Sequence, residues 1–337
     1  MKKMVSFALI AVTCMSIAWA NGGAQGGAQG GQKSGVPTIV VMPKLLGIPY
    51  FNAAEVGVVQ AGKDLGVNAV FTGPATADAA EQARMIEDLI SKGVDVIAVA
   101  PNDAAALTPV LRRAKQAGII VLDWDTSLDP SLVELSVHQI DDKVYGEHLW
   151  DLLAKGMGES GDYAIITGGL SASTLNSWID NGLAYAKTRY PNMHLVTDRI
   201  PTDEKTQVAY QKSMDLITAY PNLKGIMCIS SPTLAGAGQA IEEKGLTGKL
   251  TAVGTALPSD AGPYLTRGSA YADSLWDPGK LGYLTVVLAN NLLKGQRPTE
   301  GQDIPNVGKI NVKPDGKTVI MGPPTDFTKD NYKNYNF

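Results

Sequence analysis

From Pro37 onward the chain alternates two textures. Short apolar, β-branched runs at 38–42, 68–71, 94–100, 119–123, 163–167, 195–199, 225–229, 250–254 and 269–275 are the strand candidates. Runs as continuous as VDVIAVA (94–100) and GIIVL (118–122) suit strands covered on both faces, as in a parallel sheet flanked by helices. Between the runs, apolar residues recur at helical spacing. Ala54, Val58, Ala61 and Leu65 form one such stripe, and Ala79, Ala83, Ile86 and Ile90 another. Several helical segments end in charge followed by glycine, as in KDLGV (63–67), SKGVDV (91–96) and EEKGL (242–246). Glycine just past a helix takes the left-handed stop, and lysine in the last turn complements the helix dipole. Thr108-Pro109 reads as an N-cap and first-turn proline opening a helix through Leu111 and Ala114.

Strand and helix alternate repeatedly, so the fold class is α/β. About nine strands fit two doubly wound parallel-sheet lobes better than one sheet. The first lobe runs to about residue 125 and the second starts near the helical stretch 141–155. A length of 337 residues, with 45% hydrophobic and 18% charged, allows two cores of this kind.

The first twenty residues differ. Lys2 and Lys3 precede an apolar stretch from Phe7 to Ala18, and Ala18-Trp19-Ala20 is an A-x-A cleavage site: a secretory signal peptide at 1–20. Residues before Cys14 make a poor lipid-attachment motif, so a lipid anchor there is not expected. Residues 21–35, NGGAQGGAQGGQKSG, read as a flexible Gly-rich tether. Cleavage after Ala20 removes Lys2, Lys3 and no acid, taking the net charge from −4 to −6. An acidic exported protein is a poor nucleic-acid binder. Cys228 is then the one remaining cysteine, which excludes an internal disulfide.

In open α/β sheets, ligands bind beyond the carboxyl ends of the strands. Here those ends read MPKLLG (42–47), APND (100–103), LDWD (122–125), TGGLSASTLNSW (167–178), ISSPT (229–233), GTALPSD (254–260) and SLWDPG (274–279). Acids, amides and hydroxyls beside aromatic rings suit a polyhydroxylated small molecule. Strand alternation would put Asp123 and Asp125 on one face and Trp124 on the other; the plain alternative is an Asp pair opening a surface turn. Lys44 reads as a cleft group or a solvated turn lysine. Tyr50 and Phe51 read as core or as a stacking lid, and Trp178 as core. Asn102-Asp103 and Asp277-Pro278 each also read as helix caps.

Enzyme chemistry lacks a signature. His138, His148 and His194 show no metal-ligand spacing and sit at no expected strand end. There is no G-x-S-x-G elbow and no P-loop. GAGQA (236–240) falls inside a helical segment and reads as helix packing. No catalytic residue, metal or cofactor is expected.

Several blocks carry a family resemblance: VMPKLLGIPYFNAAEVGVVQAGKDLGV (41–67), GVDVIAVAPNDAAALTPVLRRAKQAGIIVLDWD (93–125), NSWID (176–180), ALPSD (256–260), LWDPGKLGY (275–283) and DNYKNYNF (330–337). The chain resembles the type I periplasmic sugar-binding proteins of ABC importers, in particular the rhamnose-binding proteins and autoinducer-2 receptors. The resemblance implies two lobes joined by a three-segment hinge, with 36–137 plus 278–300 in the first and 138–277 plus 301–337 in the second. It implies a monomeric periplasmic receptor that captures a monosaccharide or similar small polyol and hands it to the transmembrane permease subunits. By residue, Lys44 and Asp125 match ligand-contacting positions of the autoinducer-2 receptors, and Asn102 matches the rhamnose pattern. Asp277 matches the acid after the tryptophan of the last crossover. Thr174 and Leu175 replace an Asp-Gln pair of the autoinducer-2 receptors, and Ile229 and Ser231 replace Pro and Ala. The expected ligand shell is therefore Lys44, Phe51, Asn102, Asp125, Thr174, Asn176, Ser231, Thr255 and Asp277, with an altered second-lobe half. An autoinducer-2 receptor stays open as an alternative. So do two other classes, the effector domain of a sugar-responsive repressor and a secreted sugar-modifying enzyme. The repressor needs a helix-turn-helix where the signal peptide stands.

Overall fold

In the computed structural model, which describes residues 35–337, the alternating pattern becomes two stacked α/β lobes. The signal peptide, Cys14 and nearly all of the expected tether lie outside the described residues. The first lobe runs β1 (Thr38–Met42), α1 (Pro49–Leu65), β2 (Asn68–Phe71), α2 (Ala79–Lys92), β3 (Val96–Val99), α3 (Ala104–Gln116), β4 (Ile120–Trp124) and β5 (Leu135–His138). The second runs α4 (Asp142–Met157), β6 (Gly161–Thr167), α5 (Ser173–Arg189), β7 (Met193–Leu195), β8 (Ile200–Pro201), α6 (Thr206–Ala219), β9 (Leu223–Ile229), α7 (Thr233–Glu243), β10 (Thr251–Gly254), α8 (Pro258–Arg267) and β11 (Ala272–Leu275). The chain then returns through α9 (Pro278–Leu293), β12 (Asp303–Ile304), β13 (Gly308–Lys309), β14 (Asn311–Val312), β15 (Thr318–Ile320) and β16 (Thr325–Phe327).

The first sheet has the order β14-β15-β5-β4-β3-β1-β2, and the second β16-β11-β10-β9-β6-β7, with β8 also on β6. The central pairs are parallel, for example Val40↔Ile97 and Ala252↔Ile226, and β16 is antiparallel on β11. The chain passes between lobes at 138–142, at 275–278 and at 320–325, which makes the three-segment hinge. The expected boundaries gave 301–337 to the second lobe. Instead β14 and β15 extend the first sheet beyond β5, pairing Val319↔Val137, and only β16 and the terminal turn join the second.

Helix punctuation follows the glycines. Gly66, Gly93 and Gly158 take left-handed φ values of 65°, 65° and 68° at the ends of α1, α2 and α4. Thr108-Pro109 is not a helix start: α3 opens at Ala104 under Asp103, whose carboxylate accepts from the Ala106 amide at 3.0 Å. The reason is local, since Asp103 offers a better cap one turn earlier, and Pro109 then stands inside the helix, beyond its first turn. Close packing is bought by small residues. Gly57 of α1 lies against Gly279 of α9, and Gly236 of α7 against Ala209 of α6, so GAGQA is helix packing.

Candidate ligand-binding cleft

The carboxyl ends of both sheets face one another across a cleft that encloses a cavity of about 40 Å³. The first lobe contributes Lys44 from the turn after β1, Tyr50 and Phe51 from α1, and Asp125 and Thr126 after β4. The second contributes Thr174, Leu175 and Trp178 from α5, Glu204 before α6, Ser230 and Ser231 after β9, and Thr255 after β10. Trp276 of the middle crossover completes the floor.

Asp125 is held at the cleft by two side-chain hydroxyls. Strand alternation ends at Trp124, because Asp125 adopts a left-handed φ of 63°. This turns its carboxylate toward the cleft while the indole of Trp124 stays buried and donates to the Met42 carbonyl at 3.0 Å. The Tyr50 hydroxyl donates to Asp125 Oδ1 at 2.6 Å and accepts from Trp276 Nε1 at 3.0 Å; Thr126 Oγ1 donates to Oδ2 at 3.1 Å. Burial, and then the Asp125 charge, push the Tyr50 phenol well above its ordinary range, so it stays a proton donor. Asp123 does not share this face. It is fully buried, accepts from the Leu128 amide at 2.7 Å and Ser136 Oγ at 2.9 Å, and lies 3.8 Å from His138. Burial raises its carboxyl to about 6 against the lowering effect of those partners. It fixes the loop that follows β4. His138, expected away from any strand end, closes β5, a strand absent from the sequence reading.

Lys44 is 5% exposed and points across the cleft to Glu204, 3.9 Å between Nζ and Oε1. Gln82 of α2 holds the turn that carries it. Its amide nitrogen donates to the Pro43 and Ala100 carbonyls at 3.1 and 2.9 Å, and its oxygen accepts from the Asn102 amide at 2.8 Å. The apolar stripe of α2 is accordingly rotated from expectation, with Gln82, Ile86 and Leu89 buried.

Six of the nine expected residues line the cavity: Lys44, Phe51, Asp125, Thr174, Ser231 and Thr255. Asn102, Asn176 and Asp277 do not. Asn102 Nδ2 donates to the Lys44 carbonyl at 2.7 Å, and its backbone carbonyl accepts from Ser171 of the other lobe at 2.8 Å, so these groups serve loop and lobe contacts. Asn176 accepts from Arg199 at 2.7 Å and donates to the Leu170 carbonyl at 2.7 Å. Asp277 caps α9, accepting from the Lys280 amide at 3.2 Å, and faces a separate surface groove. The Ser127 amide donates to Thr174 Oγ1 at 3.3 Å and Ser173 Oγ donates to the Ser127 carbonyl at 3.0 Å, two more bonds between lobes.

Sequence reasoning missed Glu204, and set Trp178 in the core. Trp178 does both jobs, with one edge in the cavity and Nε1 donating to Asp142 at 2.8 Å. No group of three or more histidine, cysteine or acidic side chains that could hold a metal occurs among the described residues. The cleft offers carboxylate acceptors, one ammonium and several hydroxyls, framed by aromatic rings. It can hold a small, neutral, hydroxyl-rich molecule from both sides.

Comparison with known proteins agrees with this geometry. The family model of the periplasmic binding protein domain matches residues 39–297. The D-allose-binding periplasmic protein of Escherichia coli (strain K12) is 25% identical over 249 residues, covering 72% of this chain and 80% of the relative. The LsrB protein of Clostridium saccharobutylicum, solved in complex with AI-2, superposes with a TM-score of 0.84 at 28% identity, over 89% of this chain and all of that one. A solute-binding protein of an ABC transporter from Clostridium phytofermentas, solved with bound L-rhamnose, gives 0.83 at 28% identity over 89% of this chain and 98% of its own.

Proposed function

For a chain that belongs to the periplasmic binding protein family, we propose the role of an extracytoplasmic receptor that captures a monosaccharide or similar small polyol between its lobes and delivers it to an ABC importer. The observation that carries the reading is the cavity itself: polar groups of both lobes converge on one space over an aromatic floor set on a hinge crossover. Lys44 and Asp125 take ligand hydroxyls from the first lobe, and Thr174, Ser231 and Thr255 complete the shell from the second. Only the closed form makes both sets of contacts, so ligand shifts the open–closed balance toward it, and the permease reads the closed form. The relatives named for allose, ribose, rhamnose and AI-2 support the ligand class without fixing the sugar. The signal at 1–20 is cleaved in this reading, and the mature protein works as a periplasmic monomer with permease subunits as partners.

The test is a thermal-unfolding panel on the chain from Asn21 with D-allose, D-ribose, L-rhamnose, D-arabinose, xylitol and autoinducer-2. A cognate ligand at about a hundred times its Kd adds about 2.7 kcal/mol, which for some three hundred folded residues raises Tm by about 4 °C. A shift with one sugar supports the receptor and names its cargo. A shift with autoinducer-2 alone replaces the sugar reading with the signal receptor, and turnover of a bound sugar or no shift at all overturns it.

A further inference from the structure

We propose that Glu204 is a specificity-determining ligand residue of the second lobe, and that with Lys44 it grips one ligand hydroxyl across the cleft. The inference rests on the receptor reading above. Glu204 is 8% exposed, on a turn of four polar residues, Thr202–Lys205, that has no apolar side chain to bury. The structure instead builds a place for it. Thr202 ties the turn to the end of β6, its amide donating to the carbonyls of Thr167 and Gly168 at 2.9 and 3.2 Å and its hydroxyl to Thr167 at 2.8 Å. Asp203 and Glu204 then take left-handed φ values of 52° and 57°. Aspartate tolerates that conformation better than most residues, but for glutamate it is uncommon and persists where the surroundings hold it. Gly168 leaves the space the carboxylate fills, since a Cβ there would come within 2.7 Å of Glu204 Cδ. Ser230, whose hydroxyl donates to Oε2, fixes the rotamer and leaves Oε1 toward the cavity.

Lys44 Nζ and Glu204 Oε1 are 3.9 Å apart, too far for a hydrogen bond. A hydroxyl oxygen about 2.8 Å from each fits this gap, accepting from the ammonium and donating to the carboxylate. A hydroxyl is the group that does both at once. A carboxylate or phosphate ligand can accept from Lys44 but offers Glu204 no proton, and it brings a third negative charge beside Asp125 and Glu204 in a buried site. Glu204 therefore also supplies the hydrogen-bonding capacity that Leu175 lacks on the same wall, and it selects neutral polyols over sugar acids.

The experiment is calorimetric titration of the chain from Asn21, wild type and Glu204→Gln, with D-allose, D-ribose, L-rhamnose, D-arabinose and xylitol, and with D-ribonate and D-galacturonate as anionic probes. The expected result is a Kd for the bound neutral sugar about ten- to a hundredfold weaker in Glu204→Gln, the loss of one charge-assisted bond. The sugar acids, excluded by wild type, should gain relative to the neutral sugar. Unfolding of the sugar-free variant checks the fold; should Glu204→Gln fail to fold, Glu204→Asp, which keeps the charge and withdraws it by one methylene, must lose affinity in the same way. A folded variant within threefold of wild type for the neutral sugar overturns the role of Glu204 and leaves the receptor reading standing. A wild type that binds no member of the panel overturns the receptor reading and this inference with it.

Discussion

Removing one oxygen atom from Tyr50 should separate the anchoring of Asp125 from mere burial. The Tyr50 ring packs edge-on against Phe51 and Trp276, with centroids 5.1 and 6.2 Å apart, and Tyr50→Phe keeps those contacts. What disappears is a donor at 2.6 Å from Asp125 and the acceptor for the Trp276 indole at 3.0 Å. A hydrogen bond to a charged group contributes about 1.5–3 kcal/mol, and a buried donor left without a partner costs about 1–3 kcal/mol. The two effects share one oxygen, so a net loss of about 3 kcal/mol is expected. With an unfolding entropy of about 2.1 cal/mol/K per residue over some three hundred residues, Tm falls by about 5 °C. Scanning calorimetry reads this directly. Affinity for the cognate sugar falls by about tenfold, because Asp125 loses the partner that aims it. Trp276→Phe removes the orphaned donor, so the double variant should lose less than the sum of the singles. A Tyr50→Phe protein melting within about 1 °C of wild type, or strict additivity in the pair, would refute the chain from Trp276 through Tyr50 to Asp125.

Two further perturbations test the frame around the site. His148 of α4 lies 2.7 Å from Asp326 of β16, and that bond, against burial, raises the imidazole above its ordinary value. A raised folded pKa gives stability that is complete below the unfolded value of about 6.5 and lost as pH rises through the folded one. Urea unfolding should therefore show the gap between wild type and His148→Gln full below about pH 6.5 and closing as pH rises above it; a gap that widens with pH contradicts the pairing. In Gly57→Ala the new Cβ would stand 2.6 Å from the Gly279 carbonyl carbon, and backbone cannot swing aside. Although alanine favours helix over glycine by about 1 kcal/mol, the variant should be about 2 kcal/mol less stable by chemical denaturation; equal or greater stability would show that α1 and α9 do not pack this closely.

Which parts of this were legible in the sequence follows from where the signal lives. The central strands announced themselves because burial on both faces demands unbroken apolar runs, as in VIAV of β3. β5 carries LSVH, in which Ser136 and His138 face Asp123, so a polar contact inside the lobe erased the hydrophobic signal. β14 to β16 are two or three residues long and exist through pairing with distant strands. Lys44 and Asp125, picked out by position at strand ends, line the cavity. Asn102, picked out by the same rule, does not, because position does not say which way an amide spends its bonds. Glu204 had no signal at all: TDEKT reads as a solvated turn, and what turns its acid inward is a left-handed backbone and a missing Cβ at Gly168, just past β6 and 36 residues earlier.

The middle crossover explains how a pocket and a hinge come to be one object. Trp276 sits between β11 and α9, and its ring meets Tyr50 of the first lobe at 6.2 Å and Tyr145 and Trp178 of the second at 5.5 and 5.7 Å. All four side chains are buried, and each polar tip has a partner: Asp125 for Tyr50, the Ser274 carbonyl for Tyr145, Asp142 for Trp178 and Tyr50 for Trp276. Edge-on aromatic contacts of this kind fix ring angles, so the lobes cannot rotate about the crossover without disturbing the floor of the cleft. The converse holds by linkage: a ligand that rests on that floor and bonds to Asp125 favours the lobe arrangement in which the rings fit. This resolves why a buried strand ends in Asp-Trp-Asp. Asp123 fixes the loop, Trp124 locks the strand end under the core, and Asp125, swung out by its left-handed backbone, lines the cleft and is tied through Tyr50 to Trp276 of the hinge.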